Sequence, residues 1–200
     1  EDATFAITAK NASALTVADI APLVYTGAAQ TPEPEVKDGD KVLTKGADYT
    51  LSYTANTNAG TATVTVTGMG NYSGTQDKGF TIARAALTVT PDAGQNKVFG
   101  TVDPALTYAA AGAVAGETPE FTGALTRAAG EAVGTYAITQ GSVALADNGA
   151  FLAANYTLAF TGGVTFAITA QAASALTVAD IAPVVYDCTA QTPEPEVKDG

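Results

Sequence analysis

The sequence predicts an all-β chain of tandem immunoglobulin-like β-sandwich domains in an extended array, and three observations carry that expectation. A 36-residue stretch occurs twice: residues 4–39 return as residues 165–200, with 30 of the 36 positions identical. Short runs of Thr, Val, Tyr, Ile and Phe alternate polar with apolar side chains between clusters of Gly, Asn, Asp and Pro. No segment longer than ten residues carries a convincing helical period. The Ala-rich run 109–115 holds two interior glycines, each of which costs a helix roughly 1 kcal/mol.

The repeat sets the domain organisation. The six differences between the copies are Lys10/Gln171, Asn11/Ala172, Leu23/Val184, Thr26/Asp187, Gly27/Cys188 and Ala28/Thr189. Identity this high points to recent tandem duplication with a period of 161 residues. Each period holds two units that close on the same pattern. NAGTATVTVTG (58–68) with NYSGTQDKGFTI (71–82) is echoed by EAVGTYAITQG (131–141) with NYTLAFTGGVTFAIT (155–169). Residues 1–12 are therefore read as the last strand of a preceding module plus linker, 13–84 as a first sandwich and 85–170 as a second. Residues 171–200 are the opening strands of a third module that copies 13–39. This third stretch lacks the counterparts of residues 40–82, and the expectation is that the continuing chain or a neighbouring copy completes it. Short linkers are expected at 10–13, 84–86 and 170–174. The missing initiator Met, and the lack of a basic start followed by an apolar run, read as an interior stretch of a longer protein.

Within the units, Ala62, Val64 and Val66 share one strand face. Tyr49, Leu51 and Tyr53 share another, as do Tyr156, Leu158 and Phe160, and Val164, Phe166 and Ile168. Turn chemistry sits at residues 38–40, 58–60 and 147–149.

Composition excludes several classes of function. The chain has 200 residues, no His, no Trp and one Cys. There is thus no Ser-His-Asp triad, no Cys-His pair, no standard zinc site and no internal disulfide. Twenty acids against nine bases give a formal charge of −11, which repels a phosphate backbone, so no nucleic-acid partner is expected. No apolar run approaches the length of a membrane span.

Residues 86–169 resemble the MBG repeats of bacterial surface proteins, the type named for a Tyr-Gly signature. The stretches that carry the likeness are ALTVTPDAGQNKVFGTVDPALTY (86–108), GALTRAAGEAVGTYAITQG (123–141), NYTLAFTG (155–162) and TFAIT (165–169). Phe99 stands where the family usually has Tyr before Gly100. Residues 23–82 resemble a companion repeat of large adhesin-like proteins of gut and related bacteria, through VYTGAAQTPEPEVKDG, LTKGADYTLSY and the NAGTATVTVTG and GNYSGT segments. The resemblance implies secreted or cell-surface modules strung in tandem, with no catalytic residues and no cofactor.

Several residues invite sharper readings. Residues 68–74 (GMGNYSG) superficially suggest a phosphate loop, but the spacing is wrong and no helix follows, so a hairpin turn is expected. The acidic run 33–40 with Asp48 offers oxygen ligands without the EF-hand order, and reads as a solvated edge strand and turn, with a weak calcium site as the alternative. Glu33/Glu35 and Glu194/Glu196 lack the enclosed cleft that would split their acidities. Most aromatics sit at inward parity and read as core, with a sugar-stacking platform as the alternative. Lys78 shares parity with Phe80 and Ile82, which raises a Lys–Asn isopeptide bond against a lysine stem packing at the sandwich end. Asn11, Asn71 and Asn155 begin N-glycosylation patterns, incidental in a bacterial chain. Cys188, replacing Gly27 in a turn, is read as drift or as an intermolecular crosslink.

The expected function is a non-catalytic structural stalk or fibre repeat, extracellular, on a bacterial surface or secreted, with neighbouring repeats as its principal partner. The alternatives are a filament subunit that assembles by strand exchange and a module that binds glycan or host protein.

Overall fold

The computed structural model describes residues 5–173, 176–185, 188, 190 and 192–199. The chain is all-β, with short turns of 3₁₀ helix at Ala12–Ala14 and Ala153–Asn155. Strands form where β-branched and aromatic residues alternate with Thr and Ser, the composition that fits a half-buried pleated surface. The first nine are β1 (Lys10–Asn11), β2 (Thr16–Val17), β3 (Leu23–Val24), β4 (Val36–Asp38), β5 (Lys41–Val42), β6 (Tyr49–Thr54), β7 (Gly60–Gly68), β8 (Tyr72–Ser73) and β9 (Thr75–Ala83). Nine more follow: β10 (Ala85–Pro91), β11 (Asn96–Val98), β12 (Tyr108–Ala111), β13 (Glu120–Thr122), β14 (Thr126–Arg127), β15 (Gly134–Thr139), β16 (Ala144–Ala146), β17 (Tyr156–Phe160) and β18 (Thr165–Thr169). The last described pair is β19 (Leu176–Val178) and β20 (Val197–Asp199).

The chain forms two compact units. One holds residues 5–90, 110–123 and 143–160; the other holds 91–109, 124–142 and the described residues from 161 onward. Residues 85–170 are thus shared between both.

Each unit contains a four-stranded sheet, and the two sheets have the same order. One runs β3-β9-β7-β6 and the other β11-β18-β15-β14. In both, the first two strands of that order are parallel and the remaining pairs are antiparallel. The register agrees as well. Leu23 and Gly60 flank Ile82 in one sheet, as Lys97 and Gly134 flank Ile168 in the other. The opening strands follow a second shared rule: β1 is parallel to β8 with Lys10 opposite Tyr72, and β10 is parallel to β17 with Ala85 opposite Tyr156. The segments 10–13 and 84–86, expected as linkers, therefore lie largely in ladders. Only Arg84 separates β9 from β10, and Ala85 is buried. Ser174 lies outside the described residues.

Alternation places the core as the sequence expects. Ala62, Val64 and Val66 of β7 are wholly buried, and Tyr49 leads the inward face of β6. In the larger unit the three-stranded sheet β2-β4-β5 turns Val17 and Val36 onto Tyr49, Val66 and Tyr72. A second cluster gathers Val64, Phe80 and Ile82 with Tyr25, Leu87, Phe151 and Tyr156.

The repeated segments behave differently in their two copies. Phe166 and Ile168 are buried in β18, whereas their counterparts Phe5 and Ile7 are 88% and 87% exposed. At the other end, β19 and β20 pair Thr177 with Lys198 and Val178 with Val197, the register in which β2 pairs Thr16 with Lys37 and Val17 with Val36. Val17 and Val36 are buried; Val178 and Val197 are more than half exposed.

Candidate functional site

The most developed polar site within the larger unit lies where residues 13–84 meet residues 85–170. Tyr25 directly follows β3, and its backbone N–H donates to the Ala83 carbonyl at 2.9 Å, which fixes the ring at the end of β9. That ring meets Tyr156 edge to face, with centroids 5.6 Å apart, and Tyr156 stacks on Phe151 at 4.8 Å. Such aromatic pairs contribute about 0.5–1.5 kcal/mol beyond their buried area. The Glu117 carboxylate accepts both tyrosine hydroxyls: Tyr25 donates to Oε1, and Tyr156 donates to Oε2 at 2.7 Å. The Val114 N–H in turn donates to the Tyr156 hydroxyl at 3.0 Å. Burial is the main force that pushes the Tyr156 phenol up to about 12, and the Glu117 charge adds to it. For Tyr25 the bond to Glu117 is the main cause of an upward shift.

Asn155, buried beside this cluster, accepts from the Ala59 N–H at 2.9 Å and donates to the Asn58 side chain at 3.1 Å. Gly27 sits close by with φ of +77°, and a Cβ there would lie 2.9 Å from Val114 Cγ1. The arrangement joins two stretches of sequence. Both phenols are held as donors to one carboxylate, which locks the two rings in place.

The second unit carries a ring of charges. Lys97 points inward, with its side chain only 4% exposed, and its ammonium contacts Asp103 at 2.6 Å and also Glu131. Arg127 closes the ring on Asp103 through Nε at 2.6 Å and on Glu131 at 2.7 Å. Its remaining donors reach the carbonyls of Ala128 and Gly130. The guanidinium also lies over the rings of Tyr136 and Phe166, at 5.0 and 5.3 Å. Arg127 first and Lys97 second hold the Asp103 carboxyl down at about 2. The Glu131 carboxyl is lowered by the same two cations, Lys97 foremost, and the Lys97 ammonium is raised by Asp103 and Glu131. Amide formation between lysine and carboxyl needs a neutral amine and a neutral acid, and this ring keeps both charged. A shallow groove of about 470 Å³ lies beside it, between residues 103–106 and 124–131. The five donors of Arg127 are already committed, so the guanidinium has none left for a ligand anion in that groove.

Residues singled out in the sequence fall mostly to structural roles. Residues 68–74 form the turn from β7 through β8 into β9, with the Gly68 N–H donating to the Gly74 carbonyl at 3.0 Å. In the acidic run, Glu33 pairs with Lys45, Glu35 with Lys37, and Asp38 with Lys10 and the Tyr72 hydroxyl. Asp48 accepts from the Thr44 N–H. Among the described residues no group of three or more acidic or thiol ligands is placed to hold a metal ion. Glu194 and Glu196 are exposed, and Glu196 pairs with Lys198 at 3.2 Å. Lys78 is half-buried and meets Asp19, a carboxylate rather than an asparagine amide. Asn11 accepts from the Ser13 N–H at 2.9 Å and so caps the first 3₁₀ turn. Asn155 is too buried to carry a glycan. Tyr25, Tyr49, Tyr72, Phe80, Phe151, Tyr156 and Phe166 are buried, as inward parity expects. Cys188 is exposed, and its φ of +66° keeps the left-handed conformation of Gly27. Glu117, Lys97, Asp103 and Glu131 were not singled out by the sequence.

The inward alternation of β15 and β18 and the Val-Phe-Gly turn that ends β11 occupy the stretch that resembled a known family, and comparison with family models decides the point. Residues 87–167 match the MBG domain (YGX type). The MBG segment runs from β10 to β18 and so includes Glu117, the charge ring and Phe99. No curated protein and no solved structure matches the chain. Among the described residues no helix is long and apolar enough to cross a membrane.

Proposed function

We propose that this chain is a structural repeat of a large bacterial surface protein, a non-catalytic stalk that sets a functional tip away from the cell or builds the body of a fibre. MBG domains are found in large bacterial surface proteins, which supports an extracellular location. The observation that carries the reading is the Tyr25–Glu117–Tyr156 cluster. It ties residues 13–84 to residues 85–170 inside one compact unit, with stacked rings and two hydrogen bonds to one carboxylate, so that the end of one repeat and the start of the next share a core. Length then grows by adding periods, and the net charge of −11 keeps neighbouring arrays apart.

A second reading is a filament whose copies exchange strands. It rests on the near-identity of residues 4–39 and 165–200, which lets a segment of one copy take the place of its counterpart in another. Electron microscopy of the native material, beside the 200-residue chain at rising concentration, separates the two. Beaded threads one module wide and a monomeric chain are expected. Multi-chain fibres that regrow from the isolated chain would overturn the stalk in favour of strand exchange.

A further inference from the structure

Tyr25 and Phe99 are equivalent residues. Tyr25 follows β3 and its N–H donates to Ala83 at the end of β9; Phe99 follows β11 and its N–H donates to Thr169 at the end of β18, at 2.8 Å. Each ring therefore stands where the chain leaves one repeat for the next. Tyr25 is 5% exposed because Phe151 and Tyr156 cover it, whereas Phe99 is 44% exposed, with Val98 and Val102 exposed beside it in sequence. We propose that Val98, Phe99 and Val102 form the docking surface for a repeat of the first type, the kind that residues 13–84 form and that residues 171–199 begin again.

The receiving surface follows from the shared rule of the opening strands. Tyr156 stands opposite Ala85, and Tyr72 stands opposite Lys10. Each of these tyrosines donates to a carboxylate, Tyr156 to Glu117 at 2.7 Å and Tyr72 to Asp38 at 3.2 Å. The other oxygen decides which aromatic fits. On Glu117 that oxygen awaits a hydroxyl, and Tyr25 supplies one. On Asp38 it is taken by the Lys10 ammonium, so the incoming ring needs no hydroxyl, and Phe99 has none. In the later copy Gln171 stands at the Lys10 position and Asp199 at that of Asp38, again a donor and a carboxylate. The occupant is a first-type repeat because residues 171–199 begin one two residues after Thr169.

This inference rests on the stalk reading, and its test separates the two. The chain contains no Trp, so Phe99→Trp places a single reporter at the proposed surface. The probe is the 200-residue chain, compared with the same chain carried on from Gly200 by the sequence of residues 40–84, which completes the third repeat. Indole emission from the Phe99→Trp variant is expected to shift to the blue, and acrylamide quenching to fall several-fold, when the third repeat is complete. Tyr25→Trp is expected to be shielded equally in both chains. If the indole of Phe99→Trp stays equally quenchable while the longer chain melts as a folded, extended monomer, the docking surface is overturned and the stalk stands. If the longer chain is a multi-chain fibre, the stalk itself falls. Hydrogen exchange at residues 98–102 reads the same surface without substitution: slower exchange in native arrays than in the 200-residue chain supports docking, and equal exchange overturns it.

Discussion

Lys97 holds in one four-stranded sheet the rung that Leu23 holds in the other: Leu23 faces Ile82 across a parallel pair, and Lys97 faces Ile168. A charge at a core position survives only with partners, and here Asp103 and Glu131 supply them. Lys97→Met is expected to fold and to change the response to acid. In the parent, Asp103 is lowered from 3.8 to about 2 and Glu131 is lowered too, so their contribution is present above pH ~4 and lost as the pH falls toward ~2. Removing one of the two cations brings both carboxyls closer to their ordinary values. Urea midpoints measured between pH 4 and 2 should therefore fall less steeply for the variant. An equal slope would mean that Lys97 contributes nothing to the shifts.

Tyr25→Phe keeps the ring and removes one donor from Glu117. A loss of about 1.5–3 kcal/mol is expected, the usual worth of a hydrogen bond to a charged acceptor. Glu117→Ala, which leaves two hydroxyls without an acceptor, should cost more, and the two losses should not add. Denaturant melts of the parent, both single variants and the double variant close the cycle; strict additivity would show that the bond contributes nothing.

Alkaline pH should loosen the same joint. Tyr156 is raised to about 12 and Tyr25 is raised as well, so between pH ~10 and ~12 the folded chain binds more protons than the unfolded chain. Stability then falls as the pH rises through that window. A 295 nm titration of the eight tyrosines should show a late-ionising fraction that shrinks, and loses its latest part, in Tyr156→Phe.

Gly27→Cys copies into the first repeat the residue found at position 188. The backbone there is left-handed, and the new Cβ meets Val114 Cγ1 at 2.9 Å, so the change is expected to destabilise by about 1–3 kcal/mol. Gly27→Cys combined with Val114→Ala should recover part of the loss. No recovery would place the cost in the backbone alone.

The parts of the fold that follow from local alternation were legible. β7 and β18 bury the side chains that a two-residue period assigns, and β6 and β17 bury Tyr49 and Tyr156 and half-bury the rest of the same face, because each such strand has one side turned to the core. The polar sites were not legible. Glu117 meets Tyr25 across 92 positions of sequence, and nothing around it in AGAVAGETPEF sets it apart from a solvated acid. Lys97 lies in DAGQNKVFG, which reads as a turn; only the pairing of β11 with β18 turns its side chain inward. The tie at Arg84–Ala86 was hidden for the same reason: a three-residue stretch looks like a free linker until its partner strand is known.

The parallel ladders have a mechanical consequence. β10 is the first strand of the second repeat and β17 leads into its last, and the two run parallel over five rungs, from Ala85 opposite Tyr156 to Val89 opposite Phe160. Tension in a tethered array pulls β10 toward its start and draws β17 toward its end. The two strands are thus loaded along their length in opposite senses, and the rungs must give together. An antiparallel hairpin such as β6-β7 would instead unzip one rung at a time if it were pulled apart at its open end. On the proposed stalk reading, a pull on the two ends of this repeat loads the β10–β17 ladder in shear, a resistance to tension that needs no disulfide.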